Sequence, residues 1–444
     1  MEKLELIEQA KAVLRLNDSG RSTRPAPGLY PHQWLWDSCF IAIGISHYDT
    51  KRAAQEIYSL LEGQWSNGMI PNMIFSEASD NESARGHRIG SGFWQSTRSP
   101  YAPKHKQTSG ITQPPMVAEA CWRIAKKMSG EEGIAFLKTV YPAIVRYHTW
   151  LYGDRDTDGN GLIALFHPWE TGLDNTPMWM SELRRVHMPL WIRVVEFFHL
   201  EKLLETLFRK DTKYVSADQR ISTIEALMMT HVALGLRKRD YDTKRILRRA
   251  HFVLESLSYN SILLGNNERL IDIAHKIGEK IPEDLDAKFK QARKNLEMLW
   301  SEDINRYCHR NYLTGEIIPV EGISQLLPLY SGAINKQRAE ILVSALLDTS
   351  KFWLEFPVPS VPKNSPYFNP EKYWQGPTWI NTNWLVIDGL RKYGYENEAE
   401  QIRQKSIKLV EKSGFYEYFN PLDGSPAGTN NFSWTAALII DLLS

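Results

Sequence analysis

From residue 131 to residue 153 the chain reads EEGIAFLKTVYPAIVRYHTWLYG. Its apolar positions Phe136, Leu137, Val140, Tyr141, Ile144, Val145, His148 and Leu151 recur at i, i+3, i+4 spacing. That period places them on one face of an α-helix. Comparable stripes run through 2–16, 37–64, 114–128, 183–209, 217–237, 241–262, 283–300, 334–347, 376–394, 396–412 and 431–443. The pattern predicts an all-α chain. Strands do not alternate with helices and no GxGxxG follows a strand, so a doubly wound sheet is not expected. A single hairpin is expected around Thr314-Gly315, within 305–318. No fixed repeat and no Pro/Gly/Ser linker divides the chain, which predicts one domain over 1–444.

Between the stripes lie long segments rich in Pro, Gly, Asn and aromatics, at 17–36, 65–113, 154–182, 351–375 and 413–430. Loops of that length in a compact domain usually carry function. Their recurrence between helix pairs predicts helical hairpins arranged in a ring, with the loops meeting over one end.

Composition narrows the partners. The 444 residues include 53 basic and 52 acidic side chains, a net charge of +1. That balance gives no reason to expect nucleic acid or an anionic membrane. No apolar run reaches membrane-spanning length, and the N-terminal MEKLELIEQAKAVLRLN lacks the form of a signal peptide. Three scattered cysteines, Cys39, Cys121 and Cys308, read as reduced thiols in a cytoplasmic protein. The chain holds 15 Trp, 19 Tyr and 16 Phe, many of them in the loops. Aromatic faces in such places suit sugar rings.

Four clusters carry candidate chemistry. LYPHQWLWDS (29–38) crowds Tyr30, Trp34, Trp36 and Asp37 together. HPWETGLDNTP (167–177) sets Glu170 and Asp174 on a loop stiffened by two prolines, where either could be an acid with a raised pKa. KYWQGPTWINTNW (372–384) holds Tyr373, Trp374, Gln375 and Trp379 beside a Gly-Pro hinge. GFYEYFNPLDGSPAGTNNFSW (414–434) encloses Glu417 between tyrosines. DRDTDG (154–159) matches half of a calcium loop, but its twelfth position is Leu165, so it reads as an Asp-rich turn and not as a metal site. There is no GxSxG elbow, P-loop or HExxH. Two carboxylates far apart in sequence, among aromatics, describe glycoside hydrolysis, with one group protonated at the leaving oxygen and the other ionised for the water.

The segments YPHQWLWDS, HPWETGLDNTP, YWQGPTWINTNWL and EYFNPLDG…FSWTAALII resemble, in order and spacing, the motifs of glycoside hydrolase family 63. The similarity is to the compact branch of mannosylglycerate and glucosylglycerate hydrolases and runs from about residue 25 to the C-terminus. It implies an (α/α)6 barrel and an inverting mechanism that uses no metal or other cofactor. It implies Asp174 as general acid, Glu417 as general base and Glu170 as a supporting residue. Tyr30, Trp34, Trp36, Asp37, Gln113, Tyr373, Trp374, Gln375 and Trp379 match positions lining the sugar subsite. Segment 73–109 would be a mobile lid. It and 208–214 would face a glycerate, with Arg85, His87, Arg88, Arg209 and Tyr214 as candidate partners for its carboxylate. The expected partner is a small carbohydrate, and the oligomeric state is left open, a homo-oligomer among the options. The rival readings are an α-glucosidase on a disaccharide or other small α-glucoside, a sugar 2-epimerase built on pit-lining histidines, and a non-catalytic carbohydrate-binding toroid.

Overall fold

The computed structural model describes residues 3–76, 90–209, 211–250 and 252–444. Twelve helices alternate between two concentric layers. They are α1 (Lys3–Asn17), α2 (Leu35–Ile45), α3 (Thr50–Leu61), α4 (Val117–Lys127), α5 (Gly130–Trp150), α6 (Leu257–Ile277), α7 (Glu283–Asn295), α8 (Pro328–Ser331), α9 (Lys336–Leu346), α10 (Ile380–Lys392), α11 (Glu396–Ser413) and α12 (Ser433–Leu443). The even-numbered helices close a ring: α2 packs on α4, α4 on α6, α6 on α8, α8 on α10, α10 on α12, and α12 back on α2. Of the odd-numbered helices, α1, α3, α5, α7 and α11 pack against this ring from outside, and α9 packs on the turn Ile323–Leu326 that leads into α8. This is the expected (α/α)6 barrel of six hairpins.

The two layers differ in pattern for a physical reason. Inner helices are buried over most of their length: all eleven residues of α2, LWDSCFIAIGI, are buried. Outer helices bury one face. In α11, ENEAEQIRQKSIKLVEKS, only Ala399, Ile402, Ser406, Leu409 and Val410 are buried, at helical spacing. Several charged groups inside the ring are paired. Glu119 of α4 accepts from Arg269 Nε of α6 at 2.6 Å, Arg123 of α4 reaches Asp388 of α10 at 3.0 Å, and Asp441 of α12 takes His47 and Trp384 at 2.7 and 2.8 Å.

Alternation also places the long loops. Because the chain runs out and back in every hairpin, all inner helices begin at the same end of the barrel. The links from inner to outer helix are short, as at 46–49, 128–129, 278–282 and 393–395. The links entering the inner helices are long, at 18–34, 62–116, 151–256, 296–327, 347–379 and 414–432, and so gather over one end.

Several boundaries differ from the sequence pattern. The stripe 37–64 is two helices, because Asp49 caps a new start by accepting from the Arg52 backbone N–H at 2.9 Å. The stripe 183–209 is three, Pro177–His187, Leu190–Phe197 and Glu201–Phe208, with Pro189 at one break. The stripe 241–262 is a short helix at Thr243–Leu247, a strand at Leu254–Glu255 and the start of the long inner helix α6, which runs on to Ile277. Its polar residues Asn260, Asn266 and Asn267 are buried against other loops and helices, so periodicity understated it. The hairpin around Gly315 is present, with His309 opposite Ile318 and Arg310 opposite Ile317. Its strand also pairs with Leu254–Glu255, giving a four-stranded sheet. Among the described residues no helix is long and apolar enough to cross a membrane.

Candidate active site

The opening of the 167–177 loop is built around Glu170. His167 caps the 3-10 turn Pro168–Thr171, its ring accepting from the Trp169 N–H at 3.0 Å. Glu170 turns back and accepts from the backbone N–H of Phe166 at 2.7 Å, of His167 at 3.2 Å and of Thr112 at 3.4 Å. The guanidinium of Arg155 holds the same carboxylate at 2.9 and 3.2 Å, and both partners are almost wholly buried. Glu170 therefore has no free lone pair to offer a substrate, and it braces the loop that carries Asp174. Glu170→Ala should leave Arg155 charged, buried and unpaired, at a cost of about 3–5 kcal/mol in unfolding free energy, read from the midpoint in urea.

Past Glu170 the chain turns at Gly172 with φ of +73°, a conformation side chains rarely take, and a Cβ there would lie 2.8 Å from the Trp36 ring. The loop is thus pressed onto an aromatic of α2. Asn175 then ties it to the 372–384 segment: its side-chain oxygen accepts from the Trp374 N–H at 3.2 Å, and its carbonyl accepts from Gln375 Nε2 at 3.0 Å. Asp174 is left half-buried, with the Tyr373 hydroxyl donating to its Oδ2 at 3.1 Å. Burial raises its pKa to about 7, against the opposing pull of the Tyr373 hydrogen bond and Arg220, with Glu417 adding to the rise.

Glu417 comes from the opposite end of the chain. The strand Tyr418–Phe419 pairs with Pro426–Ala427, and Phe419 also exchanges backbone hydrogen bonds with Thr378. These pairings seat the base loop against the 372–384 segment. Glu417 accepts from the Tyr30 hydroxyl at 2.7 Å, from the Thr429 N–H at 3.2 Å and from Arg220 Nη1 at 3.3 Å. Gly428 (φ +73°) allows this fit, since a Cβ there would lie 2.7 Å from Glu417 Oε2. The Arg220 guanidinium also lies over the Tyr373 ring at 4.4 Å. Asp37, in the first turn of α2, is buried; burial pushes its pKa well up, and the fields of Glu417 and Asp174 push it further. Three carboxyl groups from three parts of the chain thus share one electrostatic neighbourhood.

The aromatics converge as well. Trp36 lies 6.5 Å from Trp374 and 5.5 Å from Trp434, while Tyr30 meets Trp34 edge-on at 6.0 Å. Trp374 and Trp379 stack on each other with centroids 3.8 Å apart and rings 3° from parallel. Trp36, Trp374 and Trp379 are nearly fully buried, so much of their area packs against other rings and only Trp34 keeps partial exposure. Trp34 Nε1 and Gln113 Oε1 are buried polar atoms with no hydrogen-bond partner among the described residues.

Other sequence candidates fall elsewhere. Arg209 is committed to Asp211 at 2.6 and 2.8 Å and to the Ile221 carbonyl at 2.9 Å, which removes it as a free carboxylate ligand. Tyr214 is exposed, with its ring against Gly28. Arg85, His87 and Arg88 lie outside the described residues, as does the rest of 77–89 within the 73–109 segment. Its described flanks are tied down: Met73–Ile74 pair with Gln33–Trp34, and Trp94 is buried beside Trp169. The carboxylates of 154–159 diverge, Asp154 to Thr243, Asp156 to Lys288 and Asp158 to Tyr312. His167 is spent on its cap and on the Met229 carbonyl, and burial lowers its pKa to about 4; His32 accepts from the Ser76 N–H. Neither imidazole is poised for epimerase chemistry. Arg220 was not legible in sequence. It stands in DQRIST with Asp218 as its one charged neighbour and no aromatic beside it, and only the fold brings it to Glu417.

The model of the mannosylglycerate hydrolase MGH1-like glycoside hydrolase domain matches residues 30–435. A mannosylglycerate hydrolase of Rubrobacter radiotolerans is 33% identical over 444 residues, covering 99% of this chain and 97% of the relative. A glucosylglycerate hydrolase of Mycolicibacterium hassiacum is 30% identical over 453 residues, covering 99% and 98%. The crystal structure of the family 63 mannosylglycerate hydrolase from Thermus thermophilus, in complex with Tris and D-glycerate, superposes with a TM-score of 0.87 at 33% identity, covering 98% of this chain and 99% of that one.

Proposed function

The chain belongs to the mannosylglycerate hydrolase MGH1-like family of glycoside hydrolases, and from that premise we propose that it hydrolyses an α-linked glycosylglycerate, mannosylglycerate or glucosylglycerate, with inversion. Asp174 is the general acid and Glu417 the general base. The observation that carries this reading is the contrast between the two carboxyl groups in one site. Asp174 is pushed by burial to about 7, so a large share stays protonated near neutrality and can protonate a leaving oxygen. Glu417 faces the Arg220 cation and the Tyr30 hydroxyl, partners suited to a carboxylate that takes a proton from water. Asp37, Trp34, Trp36, Gln113, Tyr373, Trp374, Gln375 and Trp379 surround the sugar. The whole chain forms one catalytic unit.

Chemistry at the sugar then follows in one displacement. Glu417 accepts a proton as water attacks the anomeric carbon, and Asp174 gives its proton to the departing glycerate oxygen. The substrate class is tested by offering the protein a panel of glycosylglycerates, glycosylglycerols and α-linked disaccharides and following free sugar. Release from a glycosylglycerate well above all others supports the reading, and preference for a disaccharide overturns the glycerate assignment. The acid's environment sets a second expectation. Since activity requires protonated Asp174, kcat/KM should fall as pH rises through about 7. A profile flat to pH 9 would remove Asp174 as the acid.

A further inference from the structure

The insertion between residues 151 and 256 carries a surface that the hydrolytic site does not use. Leu190–Phe197 and Glu201–Phe208 are consecutive helices joined by a tight turn, and both pack on the helix Thr223–Arg237. From the first of them, Ile192 and Val195 join the core. Its outer face is apolar too. Leu190, Val194 and Phe197 recur at i, i+4, i+7 and are 78%, 50% and 76% exposed, flanked by Trp191 at 47% and Phe198 at 62%. Leu200 and Leu203 carry the exposed apolar surface onto the second helix. A helix that is hydrophobic all round belongs in an interior. We propose that this face is the interface of a two-fold dimer, covered by the same face of a second copy of the chain.

Area is the first argument for a second copy. The seven large apolar side chains together expose on the order of 700 Å², above the roughly 300–600 Å² of the largest apolar patch on a typical monomer. Two such faces would bury about 1,400 Å², within the range of a stable, specific interface.

Charge is the second. The helix carries both signs beside its apolar stripe, and the side chains of Arg193 and Glu196 have no ion-pair partner among the described residues. With Arg184, Met188, Phe197 and His199 they line an open groove of about 710 Å³, room enough for an aromatic ring of the partner subunit. An antiparallel two-fold axis through Val194 sets Leu190 against the partner's Phe197 and Arg193 beside the partner's Glu196, and the symmetry repeats each contact. An anionic lipid surface, or a partner of one sign, would satisfy one of these two charges and oppose the other.

Sedimentation velocity over a concentration series reads the assembly. The wild type should sediment as a dimer at micromolar concentration. Phe197→Asp should weaken the dimer about a hundredfold or more, with the helical circular-dichroism spectrum unchanged because Phe197 is exposed in the single chain. Arg193→Glu and Glu196→Arg should each weaken it about tenfold or more, since like charges then meet twice across the axis. Mixing these two variants restores both opposite-charge pairs, so the mixture should form a heterodimer about tenfold or more tighter than either variant with itself. A damaged fold would not be rescued by mixing. A wild type that stays monomeric, whether free or bound to phosphatidylglycerol vesicles, would overturn the proposal, as would a dimer that Phe197→Asp leaves intact or charge variants that fail to complement each other.

Discussion

Asp174→Asn should lower hydrolysis of a glycosylglycerate by about a thousandfold, roughly 4 kcal/mol in the barrier, the scale of losing a positioned general acid. The amide keeps the volume and can still accept from Tyr373, so the fold should hold and KM should change little. What disappears is the proton offered to an alkoxide leaving group. A glycosyl fluoride leaves without that proton, so the variant should recover most of the wild-type rate on the fluoride. The alkaline limb near pH 7 should vanish with it, since that limb reports Asp174 itself. Steady-state rates on the two substrates across pH check all three outcomes. Equal losses on both would mean that Asp174 positions the sugar and transfers no proton.

Glu417→Gln should be at least as damaging and should respond to neither leaving group. With no carboxylate to take the water's proton, attack itself is slowed by roughly a thousandfold or more on glycosylglycerate and fluoride alike. This variant should also be less stable. Arg220 is nearly buried, and its other anionic contact is the longer one to Asp211 at 3.7 Å. A neutral amide leaves that cation largely unpaired, a loss of about 3 kcal/mol, the low end for breaking a buried pair. Urea midpoints beside rates on both substrates give the answer. Substantial recovery on the fluoride would assign the base to another group, Asp37 being the carboxyl group in the same field.

The barrel was readable because its outer helices bury one face and so carry the helical period cleanly, as in 396–412. Five of the six outer-to-inner links were readable, at least in part, because they are rich in Pro, Gly and aromatics; the link at 296–327 read instead as a helix end and a hairpin. The pairings that turn motifs into a site were not. That Glu170 is a brace, while Asp174 stays half-exposed, depends on Arg155, fifteen residues before Glu170 and reached only once the Asp-rich turn folds back. Both carboxylates sit in the same eleven-residue motif, and composition does not tell them apart. Arg220 illustrates the same limit. Its role comes from a segment between two helices of the 151–256 insertion, wedged beside the base loop by Tyr418 donating to the Gln219 carbonyl at 2.6 Å. Polar inner helices were the other blind spot. Asn260, Asn266 and Asn267 interrupt the apolar stripe of α6, although each is hydrogen-bonded inside the protein. The tryptophans do converge, but the Trp374–Trp379 stack means that part of that surface is core and not sugar platform.

The central claim is a single displacement run by Asp174 and Glu417, and the anomeric configuration of the first product tests it most directly. Proton NMR, recorded within the first turnovers and before mutarotation equilibrates the sugar, should show the β-anomer released from an α-glycosylglycerate. Initial release of the α-anomer would mean a covalent glycosyl-enzyme and two displacements, and would contradict the account.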